Sequence, residues 1–208
     1  MRDIKLHSAG EWPARPAFET MPDFLKDVAE WHRFAPGEHL FKLGEQPKLM
    51  FYIAEGEVRL RRYSPDGSEI ILQRAKLNFL AEASMESLTY HCDTVAIDPI
   101  RAISFPLLVF RKTIEECPAF RTQWISHLMR EVRRSRAQCE RLTLKTASAR
   151  VMHFIESEGR DGRLELTHSR KTWAAELGLS HEALYRTLAQ LQRTGKIVLE
   201  GNTVVRLP

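Results

Sequence analysis

The stretch SRKTWAAELGLSHEALYRTLAQL, residues 169–191, decides the fold of the last third of the chain. Its apolar residues recur at helical spacing on both sides of Gly178, which tolerates the positive φ of a tight turn because it has no Cβ. Ser169 and Ser180 stand where a hydroxyl can cap the first turn of each helix. The stretch therefore predicts two short helices joined by a turn, which is a helix-turn-helix.

The segment that follows these helices has the pattern of a β-hairpin. Apolar residues 197–199 and 204–205 flank Gly201-Asn202, a dipeptide typical of hairpin turns. A helix-turn-helix followed by such a hairpin is a winged helix-turn-helix, and its second helix inserts into the major groove of duplex DNA. We therefore predict a DNA-binding domain over residues 143–208.

Four side chains near the start of the second helix are the predicted base-contacting residues: His181, Glu182, Tyr185 and Arg186. Glu182 and Arg186 are four residues apart, so they share one helix face and the carboxylate can orient the guanidinium. Arginine donates two hydrogen bonds to guanine O6 and N7, and a glutamate accepts one from cytosine N4. The alternative is an ordinary surface ion pair with no part in binding.

The charge distribution also favours a phosphate-contacting second half. Residues 143–208 carry 10 Lys and Arg against 7 Asp and Glu, whereas residues 1–114 carry 15 against 16. A local basic excess is expected where a protein meets nucleic acid. The predicted phosphate contacts, which set register without base specificity, are Ser169, Arg170, Lys171 and Ser180.

The first half of the chain is predicted to be rich in strands. Residues 57–61 alternate charged and apolar side chains, and Pro65-Asp66-Gly67 has the composition of a tight turn between two strands. Many short strands at this spacing indicate a sandwich or roll, which we assign to residues 1–114. One opening helix is predicted from the helical spacing of Phe18, Met21, Leu25, Val28 and Trp31.

Residues 115–142 are predicted to form one long helix that pairs with a second copy of the chain. Six residues step alternately by three and four, as the a and d positions of a coiled coil do: Ile125, Leu128, Val132, Ser135, Cys139 and Leu142. The alternative is a helix that packs on its own domain. Phe120 and Trp124 lie off this seam and are expected to dock on the β domain. Cys139 would face its mate, either as a small packed residue or in an interchain disulfide.

From about residue 20 to residue 208 the chain resembles the cyclic-AMP receptor protein/fumarate-nitrate regulator (Crp/Fnr) family. The resemblance implies an α+β fold: an N-terminal cyclic-nucleotide-binding-like β-roll, a long dimerisation helix and a C-terminal winged helix-turn-helix. It also implies that Glu182 and Arg186 contact a half-site resembling TTGA or TGTGA. The matching residues are 36–38, 44–45, 51–58, 66–67, 177–180, 182, 186 and 195–197.

The effector pocket that the resemblance implies departs from the nucleotide-binding pattern. Glu82 is kept, but Ala81 replaces a glycine and His91-Cys92 stand where an Arg-Ser pair would hold the cyclic phosphate. Classical cyclic-AMP binding is therefore disfavoured. The candidate pocket residues are Glu82, Ala83, Ser84, His91 and Cys92.

The chemistry of the effector stays open at the level of sequence, and no metal ligand set is assigned. The alternatives are an organic ligand, redox chemistry at Cys92, haem or copper bound by His91 with a residue such as His32 or His39, or no effector. A packed cysteine beside a hydrogen-bonded histidine is the structural alternative. Any cofactor is accordingly unknown.

These features together predict a DNA-binding transcription regulator, gated by a small-molecule or redox effector, that acts as a homodimer on a palindrome. We also expect RNA polymerase as a partner and a cytoplasmic location, since no apolar run suits a signal peptide or a membrane span. A constitutive regulator with a vestigial pocket is the second alternative. A small hydrolase is the third, although no nucleophile elbow, phosphate loop or metal-ligand spacing supports it, and we predict no enzymatic activity.

Overall fold

A computed structural model describes residues 12–65, 67, 69–166 and 169–207 of the chain. The chain divides into two compact units, Met1–Leu128 and Met129–Pro208. The helices are α1 (Pro16–Glu19), α2 (Asp23–Asp27), α3 (Leu107–Glu116), α4 (Pro118–Thr143), α5 (Ala147–Glu158), α6 (Arg170–Glu176) and α7 (His181–Arg193). The strands are β1 (Glu30–Phe34), β2 (Leu49–Glu55), β3 (Val58–Tyr63), β4 (Glu69–Ala75), β5 (Asn78–Leu80), β6 (Asp93–Ala96), β7 (Ile100–Pro106), β8 (Arg163–Glu165), β9 (Ile197–Glu200) and β10 (Thr203–Arg206).

The N-terminal unit contains two antiparallel sheets. One has the strand order β1-β7-β2-β5 and the other the order β4-β3-β6. Val58 and Leu60 of β3 are buried while Arg59 between them is more exposed, so the predicted alternation of this strand is confirmed. The turn before β4 is described only in part, because Asp66 lies outside the described residues.

The four-stranded sheet has an apolar core on each face. Ile53 of β2 joins Val58 of the other sheet in one core. Phe79 of β5 joins the helical residues Phe110 and Trp124 in the second core, where the Phe79 and Trp124 rings meet edge to face at 5.1 Å. The expectation that Trp124 docks on the β domain is confirmed, and so is that for Phe120, which is 1% exposed.

The prediction of one opening helix was wrong. The structure has two short helices, α1 and α2, and Trp31 lies in β1. Pro22 explains the break, because proline lacks the N–H that a helix interior needs and disfavours helical geometry in the residue before it. Phe18 and Leu25 are nevertheless buried, as an apolar face requires.

The long helix, α4, begins at Pro118 rather than at residue 115. Residues 107–116 form the separate helix α3, which ends just before Cys117. Proline at the first position of α4 costs no hydrogen bond, since the first four N–H groups of a helix have no partner within it.

The C-terminal unit is a winged helix-turn-helix, as predicted. Helices α5, α6 and α7 pack around Trp173, Leu177 and Leu188 with the sheet β8-β10-β9. The hairpin of β9 and β10 was predicted, whereas β8 was missed because Arg-Leu-Glu offers only one apolar residue. Among the described residues, no helix is long and apolar enough to cross a membrane.

Candidate nucleic-acid interface and effector pocket

Both helices of the helix-turn-helix begin at the serines predicted to cap them. The Ser169 hydroxyl accepts a hydrogen bond from the Thr172 N–H at 3.2 Å, and the Ser180 hydroxyl accepts one from the Ala183 N–H at 3.1 Å. Each cap satisfies one of the unpaired donors of a helix start. Both serines are exposed, and the Ser169 hydroxyl also lies 3.0 Å from the Thr172 hydroxyl.

The start of α7 exposes the predicted base-contacting face. The side chains of Glu182 and Arg186 are 80% and 74% exposed, and their nearest charged atoms lie 3.9 Å apart. At that distance in water the pair contributes little to stability. Leu184 and Leu188 on the opposite face are buried. The helix is therefore anchored by its apolar face, and its two charged residues are free to meet a partner.

Tyr185 is part of a stack of three exposed or half-exposed side chains. Its ring meets the His181 ring at 4.6 Å, nearly edge to face, and the Arg170 guanidinium lies 5.4 Å from its centroid. A cation over an aromatic face is attracted to it. The stack brings Arg170, a predicted phosphate contact at the start of α6, beside two predicted base contacts of α7. Lys171 is exposed next to it.

Glu82, in a 3-10 turn (Glu82–Ser84), is engaged by two side chains of the N-terminal unit. Its carboxylate accepts a hydrogen bond from His127 Nε2 of α4 at 2.8 Å and one from Gln73 Nε2 at 3.3 Å. The side chains of His127 and Glu82 are only 4% and 8% exposed. Sequence reasoning identified Glu82 but missed His127, which lies 45 residues later. A ligand that used Glu82 would have to displace these partners.

The residue before Glu82 keeps a backbone conformation suited to glycine. Ala81 has φ +66° and ψ +33°, in the left-handed region that residues with a Cβ rarely adopt. The tight turn into the candidate pocket is therefore retained although the glycine of the family pattern is replaced.

His91 and Cys92 lie immediately before β6, which begins at Asp93. His91 is exposed and its Nδ1 is 3.4 Å from the Ser84 hydroxyl, whereas Cys92 is fully buried. Burial, aided by the charge of Asp93, raises the pKa of the Cys92 thiol to about 11. Buried thiols in apolar surroundings are inert, so this geometry disfavours redox chemistry at Cys92.

The two histidines considered as partners of His91 lie in β1 and in the loop that follows it. His32 Nε2 is 2.7 Å from the Ser104 hydroxyl, in the pairing of β1 with β7. His39 is partly buried in the loop between β1 and β2. Within the described parts of the chain, no three His, Cys, Asp or Glu side chains stand close enough together to hold a metal ion.

The predicted seam of α4 is largely exposed in the single chain. Ile125, Val132 and Leu142 are each 45–48% exposed, and Ser135 and Cys139 are also exposed. Leu128 instead packs partly on the core of the N-terminal unit. Its neighbour Met129, which was not among the predicted seam residues, is 59% exposed. The apolar stripe therefore runs along Ile125, Met129, Val132, Cys139 and Leu142.

Two arginines that sequence reasoning missed connect α4 with α5 and the turn of the helix-turn-helix. Arg141 is buried, lies 4.3 Å from the Phe154 ring and donates to the Ser157 hydroxyl at 2.9 Å. Burial lowers the pKa of Arg141, opposed by the charge of Glu158. The second is Arg150, whose guanidinium contacts four backbone carbonyls. Basic side chains on a helix are ordinarily assigned to solvent, so no local pattern marked either residue.

Comparison with known proteins agrees with this arrangement. The model of the cyclic nucleotide-binding domain matches residues 31–117. A CRP-like cAMP-activated global transcriptional regulator of Mycobacterium tuberculosis is 27% identical over 184 residues, covering 83% of this chain and 81% of the relative. Transcriptional activator protein anr of Pseudomonas aeruginosa is 24% identical over 201 residues, covering 92% of this chain and 82% of the relative.

The solved structure of FixK2 from Bradyrhizobium japonicum is similar to this chain with a TM-score of 0.67 at 21% identity, covering 87% of this chain and 93% of that one. At that identity the similarity establishes the fold. Together with the domain match and the curated relatives, it shows that the chain is similar to Crp/Fnr transcription regulators along most of its length.

Proposed function

We propose that two copies of this chain form a homodimer that binds a palindromic DNA site and regulates transcription from it. Each copy places α7 in the major groove, with Glu182 and Arg186 contacting base edges and Arg170 and Lys171 contacting phosphates. The observation that carries the proposal is the capped start of α7, where both charged side chains are more than 70% exposed.

The exposed stripe of α4 supports the dimer. Its apolar residues are spaced as a coiled-coil partner requires, and burying them against a second copy removes their apolar surface from water. A parallel pair of such helices relates the two α7 helices by a two-fold axis. A palindrome with half-sites about one helical turn apart has the same symmetry.

We propose that the effector is a molecule other than cyclic AMP. The relative from Mycobacterium tuberculosis is named as cAMP-activated, but here Glu82 is bonded to His127 and Gln73. His91-Cys92 also supply no charged fork for a cyclic phosphate. Adding cyclic AMP should leave the melting temperature of the protein unchanged, and a concentration-dependent rise would contradict the proposal.

One further partner and a location follow from a regulator of this kind. We propose that the DNA-bound dimer contacts RNA polymerase and that it acts in the cytoplasm, where bacterial promoters are found. Co-migration of polymerase with the chain on promoter DNA, but not on DNA without the palindrome, is the expected result. A complex of the same yield on both DNAs would contradict specific recruitment.

Selecting bound sequences from a pool of random DNA duplexes tests whether a given residue contacts bases. The native chain should enrich a palindrome, and Arg186→Ala should lose preference at one symmetric pair of positions, weakening binding there by about 1–3 kcal/mol. The matched control is Lys112→Ala, which breaks an exposed i,i+4 pair of α3 with Glu116 and should leave the selected sequence unchanged. An unaltered selection with Arg186→Ala would overturn the assignment.

A further inference from the structure

One guanidinium joins the ends of two helices in the C-terminal unit. Arg150, in the first turns of α5, donates Nε–H to the Leu144 carbonyl at 2.9 Å and Nη2–H to the Leu142 carbonyl at 3.4 Å. Its Nη1 donates to the carbonyls of Leu177 and Gly178, each at 3.2 Å. The first pair lies at the C-terminal end of α4 and the second pair at the C-terminal end of α6.

The physical reason for this arrangement lies in the helix ends themselves. The last four carbonyls of a helix have no partner within it, and they carry the negative end of the helix dipole. Two such ends meet at Arg150, so a cation between them is favoured and satisfies carbonyls of both. Arginine suits this place better than lysine, because its planar group holds five donors in a fixed fork.

The packing around Arg150 is close. Gly178 has φ +62°, and a Cβ built there would lie 3.2 Å from Arg150 Nη1 and 3.2 Å from a methyl group of Leu142. The missing Cβ of Gly178 therefore allows the end of α4 to approach closely, and it also allows the turn between α6 and α7. On another side of α4, buried Arg141 is bonded to Ser157 of α5. The end of α4 is thus held to the DNA-binding helices by two arginines.

We infer that Arg150 is a positioning residue that fixes the end of the dimer helix to the turn of the helix-turn-helix, and so sets which half-site spacing the dimer accepts. The inference rests on the proposed function, in which α4 forms the dimer and α7 contacts bases. Arg150 acts through the carbonyls at both helix ends. Losing it would let α7 reorient relative to α4 while leaving its own base-contacting face intact.

The test is a spacing series. The palindrome selected by the native chain is compared with duplexes that have one base pair inserted or removed at the centre, which shifts one half-site by about 3.4 Å and about 35°. The native chain should prefer the selected spacing by about tenfold or more. In Arg150→Gln this preference should fall to about threefold or less, because the selected palindrome loses affinity and the altered ones do not. Base preference within each half-site should be unchanged.

Two controls separate positioning from folding and from charge. Arg160→Gln changes an arginine of the same unit whose side chain is 96% exposed, and it should keep the native spacing preference. Arg150→Lys keeps the charge but cannot fork to four carbonyls, so its spacing preference should also fall. If Arg150→Gln does not fold, the spacing preference of Arg150→Lys tests the inference in its place.

The outcomes are distinguishable. A native spacing preference in folded Arg150→Gln, or in Arg150→Lys, would overturn the inference and leave the proposed function standing. Loss of base preference within the half-site would also overturn it, since that result assigns Arg150 to the integrity of α7. If the native chain selects no palindrome, the proposed function fails and this inference fails with it.

Discussion

Replacing His127 by alanine should strongly destabilise the N-terminal unit. The imidazole and the Glu82 carboxylate are almost completely buried and 2.8 Å apart. Without His127, the carboxylate keeps the longer hydrogen bond from Gln73 as its one remaining side-chain partner among the described residues. A hole also opens beside the Phe79 and Trp124 rings, which lie 5.4 and 5.0 Å from the imidazole. Leaving a buried carboxylate without its shorter hydrogen bond and opening a cavity beside it together cost about 3 kcal/mol or more.

This cost is a large part of the free energy of unfolding of a typical domain, which is roughly 5–15 kcal/mol. Glu82→Gln should cost only about 1 kcal/mol, because the amide oxygen still accepts from His127 and no charge is buried. The double variant of Glu82 and His127 to alanine should cost less than the two single variants added together, since each single variant leaves the other group buried without its partner.

Urea unfolding followed by tryptophan fluorescence measures these costs, and Trp124 reports locally because its ring contacts that of His127. His91→Ala is the matched control, since His91 lies in the same unit, is exposed and has its Nδ1 3.4 Å from the Ser84 hydroxyl; it should cost less than about 1 kcal/mol. A cost below about 1 kcal/mol for His127→Ala, additive with that of Glu82→Ala, would refute the buried pair.

Four further measurements test other parts of the structure. Near pH 8 a thiol reagent should modify Cys92 at least about a hundredfold more slowly in the folded protein than in the urea-unfolded chain, since only thiolates react, and similar rates would contradict the buried thiol. Because the Cys92 thiol has a higher pKa in the folded chain, its contribution to the free energy of unfolding should be fully present below about pH 9. Urea unfolding should show this contribution declining as the pH approaches about 11. Gly178→Ala should cost about 1–2 kcal/mol at its φ of +62°, and unchanged thermal stability would contradict the left-handed turn. Tyr185→Leu should lower the salt slope of DNA binding by about one, as Arg170→Ala should, while Tyr185→Phe should keep it; a native slope in Tyr185→Leu would show that Tyr185 does not position Arg170 for phosphate contact.

The elements that could be predicted are those whose causes are local in sequence. Ser169 and Ser180 cap the helices that they precede, and Gly178 makes the turn between them, because capping and positive φ involve neighbouring residues only. The hairpin around Gly201 was predicted for the same reason. In α1 and α2 a local cause was present and overlooked: helical spacing of apolar residues was given more weight than Pro22.

The contacts that could not be predicted join residues far apart in the chain. Glu82 and His127 are separated by 45 positions, and Arg150 is 28 positions from Gly178. Nothing next to His127 or Arg150 distinguishes them from solvated side chains of a polar helix. Leu128 fits the a/d pattern, yet it packs partly on its own unit, because a heptad pattern does not say which apolar surface the helix meets.

Native mass spectrometry of the chain with its selected palindrome measures how many chains bind each duplex. We expect two chains on each duplex, with little complex of one chain, because a single α7 contacts too few bases to bind tightly. We also expect a duplex with one half-site scrambled to lose most of the two-chain complex. A dominant complex of one chain per duplex, or equal binding to the scrambled duplex, would contradict a homodimer on a palindrome.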